Sequence, residues 1–245
     1  MKNPTAAMLV IGDEILSGRT RDANMHHLSG VLTDHGIDLK EARVVSDDHA
    51  AIVEAIQALS KAYTHVFTSG GIGPTHDDIT ADAVADAMGV TIDVREDARR
   101  VLAAHYAATG IELNEARLRM ARIPEGAALI NNPVSAAPGF TIGNVHVMAG
   151  VPKIFEAMVA SLVPTLTGGD PVLSRSIRVE RAEGEIAGPL GALAEGYPHL
   201  SFGSYPFQTE RGFGAYVVIR GTQSEQIDDA EQKLCEAIAQ LAPPS

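Results

Sequence analysis

Between a short apolar run and a helical pattern lies Thr68-Ser69-Gly70-Gly71-Ile72-Gly73-Pro74-Thr75-His76-Asp77-Asp78-Ile79-Thr80, a segment whose residue types suit phosphate chemistry. Glycines at 70, 71 and 73 let the backbone take positive φ and bring N–H groups close to an anion. The helix expected after the loop turns its positive end toward the same point. Two aspartates alone would repel a phosphate. Asp77 and Asp78 make sense there if a divalent cation sits between carboxylate and phosphate, which points to nucleotide or phosphorylated-ligand chemistry rather than passive anion binding.

Two more acidic turns belong beside this loop. In an open α/β sheet, ligands bind at the carboxyl ends of strands where the strand order reverses. Gly12-Asp13-Glu14 follows the first expected strand and Ser46-Asp47-Asp48 the second, as the glycine loop follows the third. Carboxylates converging from such loops could hold Mg²⁺ and orient water or phosphate, although spacing alone does not bring them together. Plainer roles compete. Asp48 and Asp78 each precede an expected helix, where an aspartate N-cap is worth about 1 kcal/mol; capping is the stronger reading for Asp48, ligand binding for Asp78. Asp22 and Asn24 could simply start a helix, and Asp13-Glu14 could be a solvated turn. The nine histidines show no metal-ligand spacing, and the adjacent His26 and His27 point to different sides of a helix. His76, inside the loop, reads equally as an acid–base group and as a solvated side chain. No Gly-x-Ser-x-Gly elbow occurs.

The elements that must position these residues follow from hydrophobic periodicity. Short β-like runs at 6–11, 39–45 and 65–68 alternate with amphipathic helices at about 22–35, 48–62 and 81–88, the pattern of a parallel α/β sheet. Residues 96–121 read as helices interrupted at Gly110. The turn-rich stretch from Ile123 to Phe140 reads as a long functional loop near the sheet edge. Two strands around Gly143-Asn144 make a hairpin, and Pro152 opens another helix. Thr167-Gly168-Gly169-Asp170-Pro171 is the expected boundary, dividing a domain over 1–168 from a small α/β unit over 171–242 with strands at 176–179, 200–205 and 214–220 and helices at 183–195 and 224–241. Pro243-Pro244-Ser245 reads as a loose tail.

Composition narrows the partners. With 245 residues and 45% hydrophobic content the chain can bury a sizeable core, and its formal charge of −12 argues against a nucleic-acid or anionic-membrane surface. A small molecule is the expected ligand. Cys235 is the only cysteine, which fits a reducing cytoplasm. The start, Met1-Lys2-Asn3-Pro4 and then an apolar run that soon meets Asp13-Glu14, is too short for a signal peptide.

Three segments, Ile11 to Gly18, Thr68 to Thr80, and Ala137-Pro138-Gly139-Phe140, together resemble the N-terminal domain of the competence/damage-inducible CinA family, which belongs with the molybdopterin-binding MoaB/Mog proteins. The likeness extends through Asp22-Ala23-Asn24, Ser46-Asp47-Asp48 and Ala149-Gly150-Val151-Pro152, and so covers about residues 5–165. It implies a three-layer α/β/α sandwich with a mostly parallel sheet. It also implies a nucleotide or pterin site built from Gly12, Asp13, Glu14, Asn24, Ser69, Gly70, Gly71, Gly73, Pro74, Thr75, Thr80, Pro138, Gly139, Gly150 and Pro152. In the Mog branch two aspartates serve adenylylation of molybdopterin, and Asp47 and Asp78 match them. In the CinA branch and the similar domain of eukaryotic FAD synthases the implied activity is hydrolysis of a nucleotide pyrophosphate such as ADP-ribose or FAD, dependent on Mg, Mn or Co, with Asp78 and Asp47 as candidate catalytic and metal-holding residues. The family is usually a homodimer or trimer.

Two departures matter. Ala149 stands where the family usually has proline, which leaves that ligand loop softer. CinA proteins commonly add a C-terminal amidase domain that these residues do not contain, so deamidation of nicotinamide mononucleotide is not expected. The small second unit resembles the KH-like domain that follows in CinA. It carries six basic against ten acidic side chains, a net of −4, and its Gly188-Pro189-Leu190-Gly191 segment has no cation to meet phosphates, so it reads as a packing or oligomerisation module rather than an RNA binder. Three functions remain in play: pyrophosphate hydrolysis, adenylyl transfer to a pterin, and binding without turnover.

Overall fold

Strand β1 (Thr5–Ile11) is buried along almost its whole length and divides its side chains between two cores. Ala7, Leu9 and Ile11 face one, Ala6, Met8 and Val10 the other, as the two-residue period of a strand requires. The structure is a computed structural model that describes residues 3–209 and 212–241. It divides the chain into two units, the first ending at Gly169 and the second beginning at Asp170.

In the first unit β1 is followed by α1 (Asp13–Leu16), α2 (Asn24–Asp34), β2 (Asp38–Val45), α3 (His49–Ala62), β3 (His65–Ser69) and α4 (Thr80–Met88). Next come β4 (Ile92–Val94), α5 (Glu96–Thr109), α6 (Glu115–Leu118), β5 (Arg122–Pro124), β6 (Ala128–Ile130), β7 (Gly139–Ile142), β8 (Val145–Met148) and α7 (Pro152–Leu162). The central sheet has the order β2-β1-β3-β8-β7-β6. Its first three pairings are parallel and the β8-β7 and β7-β6 pairings antiparallel. Helices α3, α4 and α5 pack on one face through Ile52, Ile56, Leu59, Val84 and Leu102; α2 and α7 cover the other through Leu28, Leu32, Phe155 and Met158. This is a three-layer α/β/α sandwich with a mostly parallel sheet.

Local chemistry explains the helix ends. Asp48 caps α3, its Oδ1 accepting from the Ala51 N–H at 2.9 Å. Gly89 and Gly110 end α4 and α5 in the left-handed conformation, and Pro152 stands at the first turn of α7. The structure differs from the sequence reading in two places. The stretch expected as one long loop contains β5 and β6, with β6 at the sheet edge, because three-residue strands are too short to display a period. Gly12-Asp13-Glu14 is not a bare turn either: Asp13 and Glu14 form the first turn of α1.

The second unit comprises β9 (Leu173–Val179), α8 (Glu183–Gly196), β10 (Ser201–Thr209), β11 (Gly212–Gly221) and α9 (Ser224–Ala239). Its antiparallel sheet, in the order β10-β11-β9, shares a core with both helices through Val179, Ile186, Leu193, Val217, Ile219, Ile227 and Leu234. Gly188 to Gly191 lies inside α8, so it forms a helix interior and not a loop that could clamp a backbone. The 243–245 tail lies outside the described residues. Among the described residues, no helix is long and apolar enough to cross a membrane.

One buried polar cluster crosses the central sheet. His65 Nδ1 and His146 Nε2 share a hydrogen bond at 3.2 Å, and His146 Nδ1 lies 3.0 Å from the Thr141 hydroxyl. Burial, reinforced by the neighbouring His65, pushes His146 down to about 3. The folded chain therefore keeps His146 neutral, while the unfolded chain protonates it below its ordinary value of 6.5. The unfolded state binds the extra proton, so stability is full above that value and is lost as pH falls toward the folded one. Urea titrations at pH 7 and pH 5 should show a loss of about 2 kcal/mol from this group, which His146→Gln should remove; an unchanged pH dependence in the variant would contradict the assignment.

Candidate functional site

The strand order reverses between β1 and β3, since the chain runs from β1 out to β2 and returns on the other side of β1. The crevice at their carboxyl ends is where such sheets bind ligands. Three backbone segments meet there. Gly70, at φ 112°, follows β3 so closely along the end of β1 that a Cβ would strike the Ile11 carbonyl oxygen. A Cβ on Gly150 would stand 3.2 Å from Gly70 Cα. Asn24, buried at the start of α2, locks the junction: its amide donates to Ser69 Oγ at 2.7 Å and to the Gly150 carbonyl at 2.8 Å. Its Oδ1 is buried without a partner.

Beyond Gly70 the loop turns away from the sheet. Gly71 takes φ 67°, and a Cβ there would strike the Thr80 hydroxyl. The Gly71 carbonyl accepts from the Thr80 N–H at 3.0 Å, fixing the loop to the first turn of α4. The N–H groups of Gly71, Ile72 and Gly73 donate to no acceptor among the described residues. Asp78 closes the turn, accepting on Oδ2 from the Thr75 N–H at 2.8 Å and the Thr75 hydroxyl at 2.5 Å. The capping alternative for Asp78 is not formed, because the residue before α4 is Ile79 and no side chain caps it. Pro74 and Thr75 are exposed, as is His76, whose ring lies 3.9 Å from Asp77.

The acidic turns also approach one another. Asp47 Oδ2 accepts from the Asp13 N–H at 2.9 Å, tying the loop after β2 to the start of α1, and Gly12 N donates to the Val45 carbonyl at 3.1 Å. Partial burial holds the Asp47 carboxyl above its ordinary value; the Asp13 N–H opposes this, and the charges of Asp13, Glu14 and Asp77 add to it. Thus Asp77, rather than Asp78, is the loop carboxylate whose charge reaches Asp47. Among the described residues no three His, Cys, Asp or Glu side chains are grouped as a metal cage. A hard cation held by one or two carboxylates, with phosphate oxygens and water filling its shell, fits these donors. Asp47 is the group whose like-charge crowding such a cation would relieve.

The loop also borders a cleft lined by Gly71, Gly73, Asp78, Arg119, Arg122 and Pro138 among others. Arg122 is neutralised by a two-pronged pair with Asp82, at 2.7 and 2.5 Å. Among the described residues Arg119 donates only to the Asp78 carbonyl, at 3.4 Å, and its Nε is buried without a partner. The sequence reading missed both arginines; their three-residue spacing, ending at the first residue of β5, was the available signal. The loop expected to shape specificity is held by Asn132, whose amide donates to Ser135 Oγ at 2.7 Å and the Ala137 carbonyl at 2.8 Å. Gly139 is buried within β7, where the Val147 carbonyl leaves no room for a Cβ. Ala149, where proline was the expectation, donates its N–H to Met158 Sδ at 3.5 Å, a bond proline could not make. Pro152 is exposed at the start of α7.

Comparison with known proteins places this architecture. The probable molybdopterin binding domain family matches residues 7–168, and the FAD synthase middle domain matches 171–242. The crystal structure of a CinA protein of unknown function from Thermoplasma acidophilum superposes with a TM-score of 0.61 at 34% identity, covering 66% of this chain and 98% of that one. A probable FAD synthase of Caenorhabditis elegans is 33% identical over 260 residues, which is 96% of this chain and 50% of that protein; the chain thus spans half of that relative's length. A protein of Pyrobaculum calidifontis is 38% identical over 213 residues, 83% of this chain and 81% of its own.

The glycine contacts give a graded stability test. Gly70→Ala combines a collision with the Ile11 backbone and a left-handed strain, and should cost at least about 2 kcal/mol in urea unfolding. Gly126→Ala, at φ 79° with open space around it, should cost only about 1 kcal/mol. Asn24→Ala should cost about 2 kcal/mol by removing one buried and one partly buried hydrogen bond. Equal losses at Gly70 and Gly126 would mean the Ile11 contact is not tight.

Proposed function

The chain belongs to the CinA-like branch of the probable molybdopterin-binding-domain family, and from that premise we propose that it is a divalent-metal-dependent hydrolase of a nucleotide pyrophosphate such as ADP-ribose or FAD. The observation that carries the reading is the meeting, at the β1/β3 crevice, of a glycine loop with unpaired N–H groups and a wall of crowded carboxylates. An anion cradle alone would suit passive binding. Carboxylates beside it add a means of handling a cation and a water. The match to the FAD synthase middle domain and the likeness to a probable FAD synthase support a flavin or adenine dinucleotide as the substrate class.

In this mechanism the N–H groups of Gly71, Ile72 and Gly73 receive the phosphate oxygens, and the amino end of α4 adds its partial positive charge. Asp47, crowded by neighbouring carboxylates, would hold the divalent ion, which would supply charge neutralisation and a more acidic water, and Asp78, on the cleft with Gly71 and Gly73, would orient the attacking water. Thr75 fixes one oxygen of Asp78 and leaves the other for that task. Asp13 places Asp47 through its backbone N–H, and Glu14 completes the acidic wall. Asn24 and Gly150 keep the glycine loop against the end of β1, so that the cradle is formed before the ligand arrives.

Incubation of the purified protein with ADP-ribose or FAD and Mg²⁺, Mn²⁺ or Co²⁺ should release AMP, and a chelator should stop the release. Asp78→Ala should lower kcat/KM by about 100-fold or more, the scale expected for a group that positions or activates the attacking water. Unchanged turnover in Asp78→Ala would remove this mechanism; tight nucleotide binding without turnover, whatever the metal, would favour a binding module instead.

A further inference from the structure

Arg119 carries a charge that the protein itself leaves unanswered. A guanidinium stays protonated at any physiological pH and has five N–H donors. Here one of them reaches the Asp78 carbonyl at 3.4 Å, while Nε is buried and bonds nothing. No carboxylate lies within ion-pair distance of Arg119 among the described residues, whereas Arg122, three residues on, is fully matched by Asp82. Arg119 is half-buried, and a buried N–H donor left without an acceptor is unfavourable unless a ligand supplies one.

Its surroundings say what that acceptor is. Arg119 lines the same cleft as Gly71 and Gly73, whose N–H groups are free, and the nine-residue helix α4 begins beside them. At that helix start the Thr80 side chain is fully buried and its hydroxyl has no hydrogen-bond partner. Backbone N–H groups, a helix amino end and a planar two-pronged donor together match the tetrahedral oxygens of a phosphate better than a single carboxylate.

We infer that Arg119 binds a phosphate of the ligand directly, making the Gly71–Gly73 cleft a diphosphate site with a fixed positive charge of its own. This rests on the nucleotide reading above and deepens it. The Arg119 side receives phosphate oxygens without an intermediary, while the crowded carboxylates around Asp47 remain the place for a cation. Arg119 is thus a substrate-binding residue, and its guanidinium geometry, not only its charge, serves the site.

Isothermal titration of the full chain with inorganic pyrophosphate, in chelator and again with Mg²⁺, tests this. Wild type should bind, Arg119→Gln should bind at least tenfold more weakly, and Arg119→Lys should fall between them, because an ammonium keeps the charge and loses the fork. Melting temperatures without ligand should agree among the three proteins, and pyrophosphate should raise that of wild type most. Should Arg119→Gln fail to fold, the lysine variant carries the comparison. Equal affinity in wild type and either folded variant overturns the role of Arg119 and leaves the hydrolase reading standing. Wild type binding neither pyrophosphate nor ADP-ribose, with metal present, overturns that reading and this inference with it.

Discussion

The site depends on a backbone-to-backbone approach that only glycine permits. Gly70 passes the Ile11 carbonyl with no room for a side chain, and Gly150 lies against Gly70 in turn. This contact brings together the ends of β1, β3 and β8, three neighbouring parallel strands. Asn24 then fastens the junction from α2 with one donor on each of the other two segments. Without that approach the glycine loop would stand away from β1, and the carboxylates that follow β1 and β2 would face open water. The same geometry sets the direction of the loop, because the chain leaving Gly70 is steered by Gly71 and its bond to Thr80 into the start of α4.

Charge is distributed around this junction in two groups. The charges of Asp13, Glu14 and Asp77 act on Asp47 and add to burial in holding its carboxyl above the ordinary range, against the opposing Asp13 N–H. Arg119 and the free N–H groups of the loop form the opposite group. A diphosphate with a divalent cation carries both signs and complements such a pair better than a neutral ligand or a simple anion does. The overall charge of −12 favours neither polyanion nor anionic membrane, so the local positive site is a specific feature set in an acidic protein.

Much of the fold was legible because its elements are long and periodic. Ile52, Ala55, Ile56 and Leu59 recur on the buried side of α3, Asp48 announces its start, and Gly89 and Gly110 mark the ends of α4 and α5. The inner strand β1 reads as a continuous apolar run because both its faces are covered, whereas β2, at the sheet edge, carries Asp38, Lys40, Glu41 and Arg43. By contrast β4, β5 and β6 have three residues each, and their pairing is decided by tertiary contacts that no local pattern encodes. The loop glycines were legible as a group, but not the separate task of each: Gly70 is set by β1, Gly71 by Thr80, and Gly139 by packing inside the sheet. The resemblance singled out Asp78 and left Asp77 without a role; the fold ties Asp78 to Thr75 and makes Asp77 the loop carboxylate whose charge acts on Asp47. The spacing of Arg119 and Arg122 was legible, but not which of the two is paired, because an unpaired cation is defined by what fails to surround it.

Amide chemical shifts of isotopically labelled protein titrated with ADP-ribose and Mg²⁺ test the central claim most directly, namely that the crevice between β1 and β3 holds the diphosphate. The largest changes should fall on the N–H groups of Gly71, Ile72 and Gly73, which have no acceptor of their own. Changes confined to residues 171–241, with the loop amides unmoved at saturating ligand, would contradict it.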